Sequence, residues 1–260
     1  MIEQTVDIPT PAGAVSTFIS HPERDGPHPV VIVFMDAPGV REELREMVRR
    51  LASVGYYVML PNLYYRSGVE ELPYLSALPP EKAREEVFEL ESTLTMATVM
   101  EDAEALLDYA DRDPAASPGR AGCVGYCMSG QYAVNFAARH PERIGAAASI
   151  YGVKLVTDRT DSPHLMLQKA TAEFYFACAE HDEWSPIELV PALEQTAKVY
   201  APATEVEIYP GAHHGFVFRE RPVYDAAAAE RHWERLFSLF RRRLQPAATA
   251  VSATAAVIEA

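Results

Sequence analysis

The spacing of apolar positions along this chain switches repeatedly between strand and helix periods. Val15 to Ile19, after the turn residues Pro11-Ala12-Gly13, predicts the second strand of an N-terminal hairpin that begins at Thr5. Val30 to Met35 is an unbroken apolar run, the mark of a strand buried on both faces. Glu42 to Ser53 carries Leu44, Met47, Val48 and Leu51 at helical spacing, and Gly55 ends that helix before a strand at Tyr57–Leu60. A helix near Met96–Tyr109, a strand running into Val124, a helix from Gln131 to Arg139 and a strand at Ala146–Ile150 continue the alternation. Two late strands, Glu173–Ala177 and Glu205–Tyr209, bracket a helix from near Pro186 to Val199, and a long helix, Ala226 to Arg243, follows.

Strands that alternate with helices predict an α/β fold, a mostly parallel central sheet with helices on both faces. The segment Arg66–Pro80 is rich in loop residues and is expected to form a lid or pocket wall. From Pro246 onward the chain is nearly uncharged and without period, so one domain is expected over 1–245, with 246–260 a weakly structured tail.

One stretch carries chemistry. Val124-Gly125-Tyr126-Cys127-Met128-Ser129-Gly130 stands between a predicted strand and a predicted helix, the setting of a nucleophile elbow. Gly125 lets the backbone turn tightly, and small residues at 129 and 130 keep the far side uncrowded. Cys127 is thereby raised over a sheet edge at the first turn of a helix, placed to lose its proton and attack an acyl carbon. Ser129 is the rival nucleophile, but it falls where the segment already winds into helix. Of the three cysteines, Cys123 and Cys178 sit in apolar strands and read as core. Cys123 and Cys127 are four apart across a change of structure with no second close pair following, so neither zinc nor a disulfide framework is expected, and no cofactor.

A nucleophile needs a base, and the base an orienting acid. The strand Glu173–Ala177 leads into Glu180-His181-Asp182-Glu183-Trp184, and Glu205–Tyr209 leads into Gly211-Ala212-His213-His214-Gly215-Phe216. In a parallel sheet both segments emerge at the edge that carries the elbow. Topology alone brings Cys127 together with one of three acids and one of two adjacent histidines.

Charge narrows the partners. A net charge of −14 over 260 residues argues against nucleic acid or an anionic membrane. No apolar run approaches the length of a bilayer span, and Met1-Ile2-Glu3-Gln4 does not open like a signal peptide. A cytoplasmic enzyme with a small-molecule substrate, monomeric or a small homo-oligomer, is the expectation.

From about Thr5 to Arg243 the chain resembles the dienelactone hydrolase family, cysteine members of the α/β-hydrolase superfamily. Gly125-Tyr126-Cys127 with Gly130 resembles the family's elbow. Asp182 falls at its triad aspartate. Tyr209, Ala212, His214 and Phe216 repeat the spacing around its histidine, which selects His214 over His213. Asp36-Ala37-Pro38-Gly39-Val40 matches the acid followed closely by Gly-Val after the first buried strand. The resemblance implies an α/β-hydrolase fold and hydrolysis of a carboxylic ester or lactone, carboxymethylenebutenolidase type, by Cys127, His214 and Asp182. The N–H groups of Ala37 and Met128 would form an oxyanion hole, and Asp36 would lie beside Cys127 and gate it. Tyr64, Tyr65, Arg66, Tyr126, Trp184 and Phe216 fall on segments at the same edge and are expected to line the pocket. Three departures stand out. Ser129 replaces a common glycine, Asp36 is one methylene shorter than the family glutamate, and Phe218 stands where an arginine four residues past the histidine holds a dienelactone carboxylate. Competing readings are an esterase of different substrate range, a non-catalytic binding module and a thiol redox sensor. The ordered cysteine, acid and histidine argue against the module, and the lack of an evident resolving cysteine near Cys127 argues against the sensor.

Overall fold

Eight strands form one sheet in the order β1-β2-β4-β3-β5-β6-β7-β8. They are β1 (Ile2–Thr10), β2 (Gly13–His21), β3 (Val30–Phe34), β4 (Tyr57–Pro61), β5 (Ala121–Tyr126), β6 (Ile144–Ile150), β7 (Glu173–His181) and β8 (Glu205–His213). The computed structural model describes residues 1–73 and 77–244; part of the loop-rich stretch, 74–76, and the tail predicted over 246–260 lie outside them. The helices are α1 (Glu42–Ala52), α2 (Pro80–Ser92), α3 (Met96–Ala110), α4 (Gly130–Arg139), α5 (Pro163–Met166), α6 (Val190–Tyr200) and α7 (Ala226–Arg243).

The N-terminal hairpin is antiparallel, and β2 joins β4 antiparallel. From β4 through β3, β5, β6, β7 and β8 every pairing is parallel. Each residue of β3, β4, β5 and β6 is buried, because helices cover both faces. On one face the edges of α1 and α7 meet through Arg50, whose guanidinium lies 4.6 Å from the Trp233 ring centre. Phe240 and Leu244 close directly over Gly122, where even a methyl group would lack room. On the other face α3 packs on α4, and α5 links α4 to α6.

The strong hydrophobic patterns mark their elements to within a few residues. Two differences have physical causes. α2 lies where no helix was expected: none of its residues is buried, so its sequence carries no apolar stripe of the kind that betrays a core-facing helix. β7 and β8 run on to His181 and His213, because the two strands keep pairing (His181 opposite His213) past the end of their apolar runs. Glu180 and His181 are therefore strand residues, as are Pro210 to His213.

The parallel array sets the active edge. Asp36 and Ala37 follow β3, Cys127 follows β5, Tyr151 follows β6, Asp182 follows β7 and His214 follows β8, so all emerge at the same ends of neighbouring strands.

Candidate active site

Cys127 has φ +53°, in the left-handed region that a residue with a Cβ rarely adopts. It opens a 3-10 turn, Cys127–Ser129, that passes straight into α4. The strain is held by close packing. A Cβ on Gly125 would lie 2.1 Å from the Ser129 carbonyl oxygen, so only glycine fits before the elbow. The Cys127 carbonyl accepts the Val153 N–H at 3.0 Å, which braces the elbow against the segment after β6. Ser129 is fully buried and its hydroxyl donates to the Met35 carbonyl, tying the elbow to the end of β3. That bond occupies the hydroxyl of the rival nucleophile.

Nδ1–H of His214 donates to Oδ2 of Asp182 at 2.8 Å. A carboxylate can only accept, so this contact leaves Nε2 of the neutral ring free of hydrogen and able to accept a proton. Oδ1 of Asp182 in turn accepts the N–H groups of Trp184 at 2.9 Å and Ser185 at 3.0 Å, which fixes the carboxylate. Nε2 of His214 is buried without a conventional hydrogen-bond partner. Burial works against a charged imidazole, but Asp182 and then Cys127, by hydrogen bonding and charge, outweigh it and raise His214 to about 9. His213, in contrast, is an exposed β8 residue whose ring packs 5.0 Å from that of His181.

Asp36 is completely buried and bound by two arginines. Arg41 donates to it at 2.6 and 3.3 Å, and Arg221 at 2.6 Å. Burial disfavours the Arg41 charge, but Asp36 outweighs it and pushes the guanidinium above its ordinary range. Both guanidinium groups lie over the Phe218 ring, 4.6 and 5.1 Å from its centre. Arg221 also crosses the loop after His214. Gly215, at φ +93°, would bring a Cβ within 2.9 Å of that side chain.

The predicted pocket residues separate into groups. The Tyr64 hydroxyl donates to the Ala37 carbonyl at 2.7 Å and lies 3.6 Å from the Met128 sulfur, which links the two proposed oxyanion segments. Phe216 is buried between Tyr151 and Tyr209. Trp184 is partly exposed beside Asp182, with Phe88 of α2 against its edge and the Arg84 guanidinium 4.3 Å from its centre. Tyr126 is fully buried, its hydroxyl 3.1 Å from Nε2 of His232, so it forms a supporting layer under the edge rather than an open wall. Arg66 is committed to Asp102 of α3, at 2.6 and 2.8 Å, and the Tyr65 hydroxyl donates to the same carboxylate. The structure does not join Arg66 or Tyr65 to the cluster around Cys127. The buried Asp102, four positions after Thr98 in the first turn of α3, attracts them instead.

The sequence profile of the dienelactone hydrolase family matches residues 15–244. The chain belongs to that family. It is 30% identical over 244 residues to an Escherichia coli (strain K12) protein provisionally named carboxymethylenebutenolidase, covering 90% of this chain and 85% of that one. A Methylorubrum extorquens protein with the same provisional name is 28% identical over 247 residues, covering 93% and 81%. Among solved structures, a provisionally named dienelactone hydrolase from Klebsiella pneumoniae superposes with a TM-score of 0.80 at 25% identity, covering 93% of this chain and 98% of its own. The protein has the α/β-hydrolase fold and is a dienelactone hydrolase-like hydrolase.

Three residues at this sheet edge were not picked out from sequence. Arg41 directly follows the Gly-Val pair and Arg221 stands seven residues past His214, two positions from Arg219. Neither carries a spacing signal, because a long arginine can reach Asp36 from many backbone positions. Tyr151 directly follows the β6 residues Ser149 and Ile150, where its aromatic character reads as ordinary core. No described helix is long and apolar enough to cross a membrane, and no described group of three or more His, Cys, Asp or Glu side chains is arranged to hold a metal.

Proposed function

We propose that this protein hydrolyses a carboxylic ester or lactone through Cys127, His214 and Asp182. The observation that supports the reading is the 2.8 Å Asp182–His214 contact, which leaves Nε2 of the neutral ring able to accept a proton, in a fold whose elbow holds Cys127 at left-handed φ. His214 takes the Cys127 proton at Nε2, and the sulfur attacks the acyl carbon as the carbonyl electron pair moves onto oxygen. The N–H groups of Met128 and Ala37 receive that oxyanion. Collapse of the adduct breaks the C–O bond, and the departing alkoxide takes the proton from His214. Water then attacks the thioester, giving its proton to His214, and the sulfur leaves as the acid is released and is reprotonated. Asp182 keeps Nδ1 protonated and stabilises the imidazolium in both halves.

Asp36 has a modulating part in this reading. Its buried carboxylate follows β3, the strand next to the one that leads into Cys127, where it would oppose a negative charge on sulfur while Arg41 and Arg221 offset it. A substrate oxygen anion that engages either arginine would loosen Asp36 and release the thiol. The provisional lactonase and carboxymethylenebutenolidase names of its relatives fit an acyl substrate of this kind.

A short-chain chromogenic ester tests the assignment. Turnover should be abolished by thiol alkylation and by Cys127→Ala, while Cys123→Ala and Cys178→Ala retain it. Full turnover in a folded Cys127→Ala protein would overturn the assignment.

A further inference from the structure

We infer that Tyr151 is a catalytic residue, its hydroxyl serving as a third hydrogen-bond donor to the oxyanion formed on Cys127. The inference rests on the proposed thiol chemistry and adds a side-chain donor to its two backbone donors.

Tyr151 directly follows β6, the neighbour in the sheet of β5, which leads into Cys127. Its side chain is fully buried, yet its hydroxyl has no hydrogen-bond partner. Leaving a buried donor unmade typically costs about 1–3 kcal/mol, and native structures rarely tolerate it without a reason. The backbone is strained as well. Tyr151 has φ +38°, a left-handed value unusual for an aromatic residue, and strain of this kind collects at functional sites. Two features hold the strained residue rigid. Its N–H donates to the Ala177 carbonyl of β7 at 2.7 Å, and Gly152 next to it packs on Gly130 at the start of α4.

The surroundings say what the hydroxyl faces. The Tyr151 ring stands edge-on to His214, with centres 4.9 Å apart. Burial above all keeps the phenol protonated. Asp36 disfavours its ionisation further, Arg221 acts the other way, and Cys127 is near enough to disfavour it too. Arg41 feels the same phenol from α1's leading end. The group is therefore an O–H donor at any working pH, placed within the electrostatic reach of the sulfur and of the histidine that serves it. Neither the thiol nor Asp36 accepts its hydrogen bond in the resting protein. The acceptor that the chemistry supplies there is the oxygen that gains negative charge as the C–S bond forms. The tyrosine keeps its proton throughout, so the balance of the acyl-transfer steps is unchanged.

Tyr151→Phe removes one oxygen and leaves the ring. A structural hydroxyl and a reserved one respond oppositely. Deleting a hydroxyl with partners lowers stability, whereas deleting an unpartnered buried one is neutral or stabilising. Tyr151→Phe should lower kcat for a chromogenic ester about 100-fold with KM little changed, the scale of losing one oxyanion donor. Its melting temperature should equal or exceed that of the wild type. Tyr175→Phe, which loses bonds to Glu207 at 2.8 Å and Tyr209 at 2.6 Å, should melt lower and keep its kcat. A trifluoromethyl ketone gives an independent readout, since a thiolate adds to it reversibly to form a tetrahedral oxyanion without any leaving group. Its inhibition constant should weaken by a similar factor in Tyr151→Phe. Wild-type kcat and ketone affinity in Tyr151→Phe would overturn the inference while leaving Cys127 as nucleophile. A wild-type protein that neither turns over ester nor captures the ketone would instead remove the thiol reading, and the inference with it.

Discussion

Asp182→Asn is the sharpest perturbation of the proposed base. The carboxylate holds three hydrogens, two from the backbone N–H groups of Trp184 and Ser185 on Oδ1 and one from His214 on Oδ2. An asparagine can keep its carbonyl oxygen on the two backbone donors, which leaves its NH₂ facing Nδ1. His214 must then present a bare Nδ1 and carry its hydrogen on Nε2, the tautomer that cannot accept a proton from Cys127. The charge is lost too. His214 is raised from an ordinary 6.5 to about 9 despite burial, with Asp182 the leading favourable cause and Cys127 the next. A rise of that size favours the imidazolium by about 3 kcal/mol, shared between the two partners. Together, wrong tautomer and lost charge should lower kcat/KM about 10³–10⁴-fold, in line with removing the orienting acid from comparable triads. Proton linkage gives a second readout. Because the folded value lies above the unfolded one, the stabilisation is fully present below pH 6.5 and is lost as pH rises through about 9. Urea midpoints of the wild type should therefore fall over that window, and Asp182→Asn should flatten the slope. Ester kinetics with a histidine NMR titration check both. A folded Asp182→Asn protein within tenfold of wild-type turnover across the pH range would refute the reasoning.

Gly125→Ala tests the elbow: the new Cβ would meet the Ser129 carbonyl at 2.1 and 2.5 Å and the Gly130 nitrogen at 2.9 Å, all backbone atoms that cannot swing aside. Overpacking of this kind typically costs about 1–3 kcal/mol, and a 1 Å displacement of the nucleophile about 100-fold in rate. Lower melting together with lost turnover is expected, and wild-type behaviour in both would contradict the geometry. Asp36→Asn should make Cys127 react faster with a small neutral alkylating reagent at neutral pH, because it removes a buried negative charge while both arginines remain. The same change should lower the urea midpoint, since Arg41 and Arg221 lose their shared charged acceptor. An unchanged alkylation rate in the folded variant would reduce Asp36 to an anchor for the two arginines.

The sequence by itself determined what is set locally. Apolar period marked the buried strands Val30–Phe34 and Ala121–Tyr126 and the long helix Ala226–Arg243, since a face that packs on a core must repeat at the period of its element. The order of those elements implied a parallel sheet. Parallel strands discharge their loops at one edge, so topology brought Cys127 toward one of three acids and one of two histidines, and only the family resemblance pointed to Asp182 and His214. Tertiary structure decided the rest. The ends of β7 and β8 follow from each strand's pairing with the other, a long-range hydrogen-bond ladder that no apolar pattern records. That ladder makes His213 a strand residue beside His181 and leaves His214 as the one that meets Asp182. Long side chains escaped for a related reason. Arg41 and Arg221 reach Asp36 across 5 and 185 positions, and Arg66 takes Asp102 rather than the pocket, because buried carboxylates draw whichever guanidinium the fold brings within reach. The Tyr151 hydroxyl is the extreme case: an aromatic at a strand end reads as core, and only packing on every side shows that its donor has been left open.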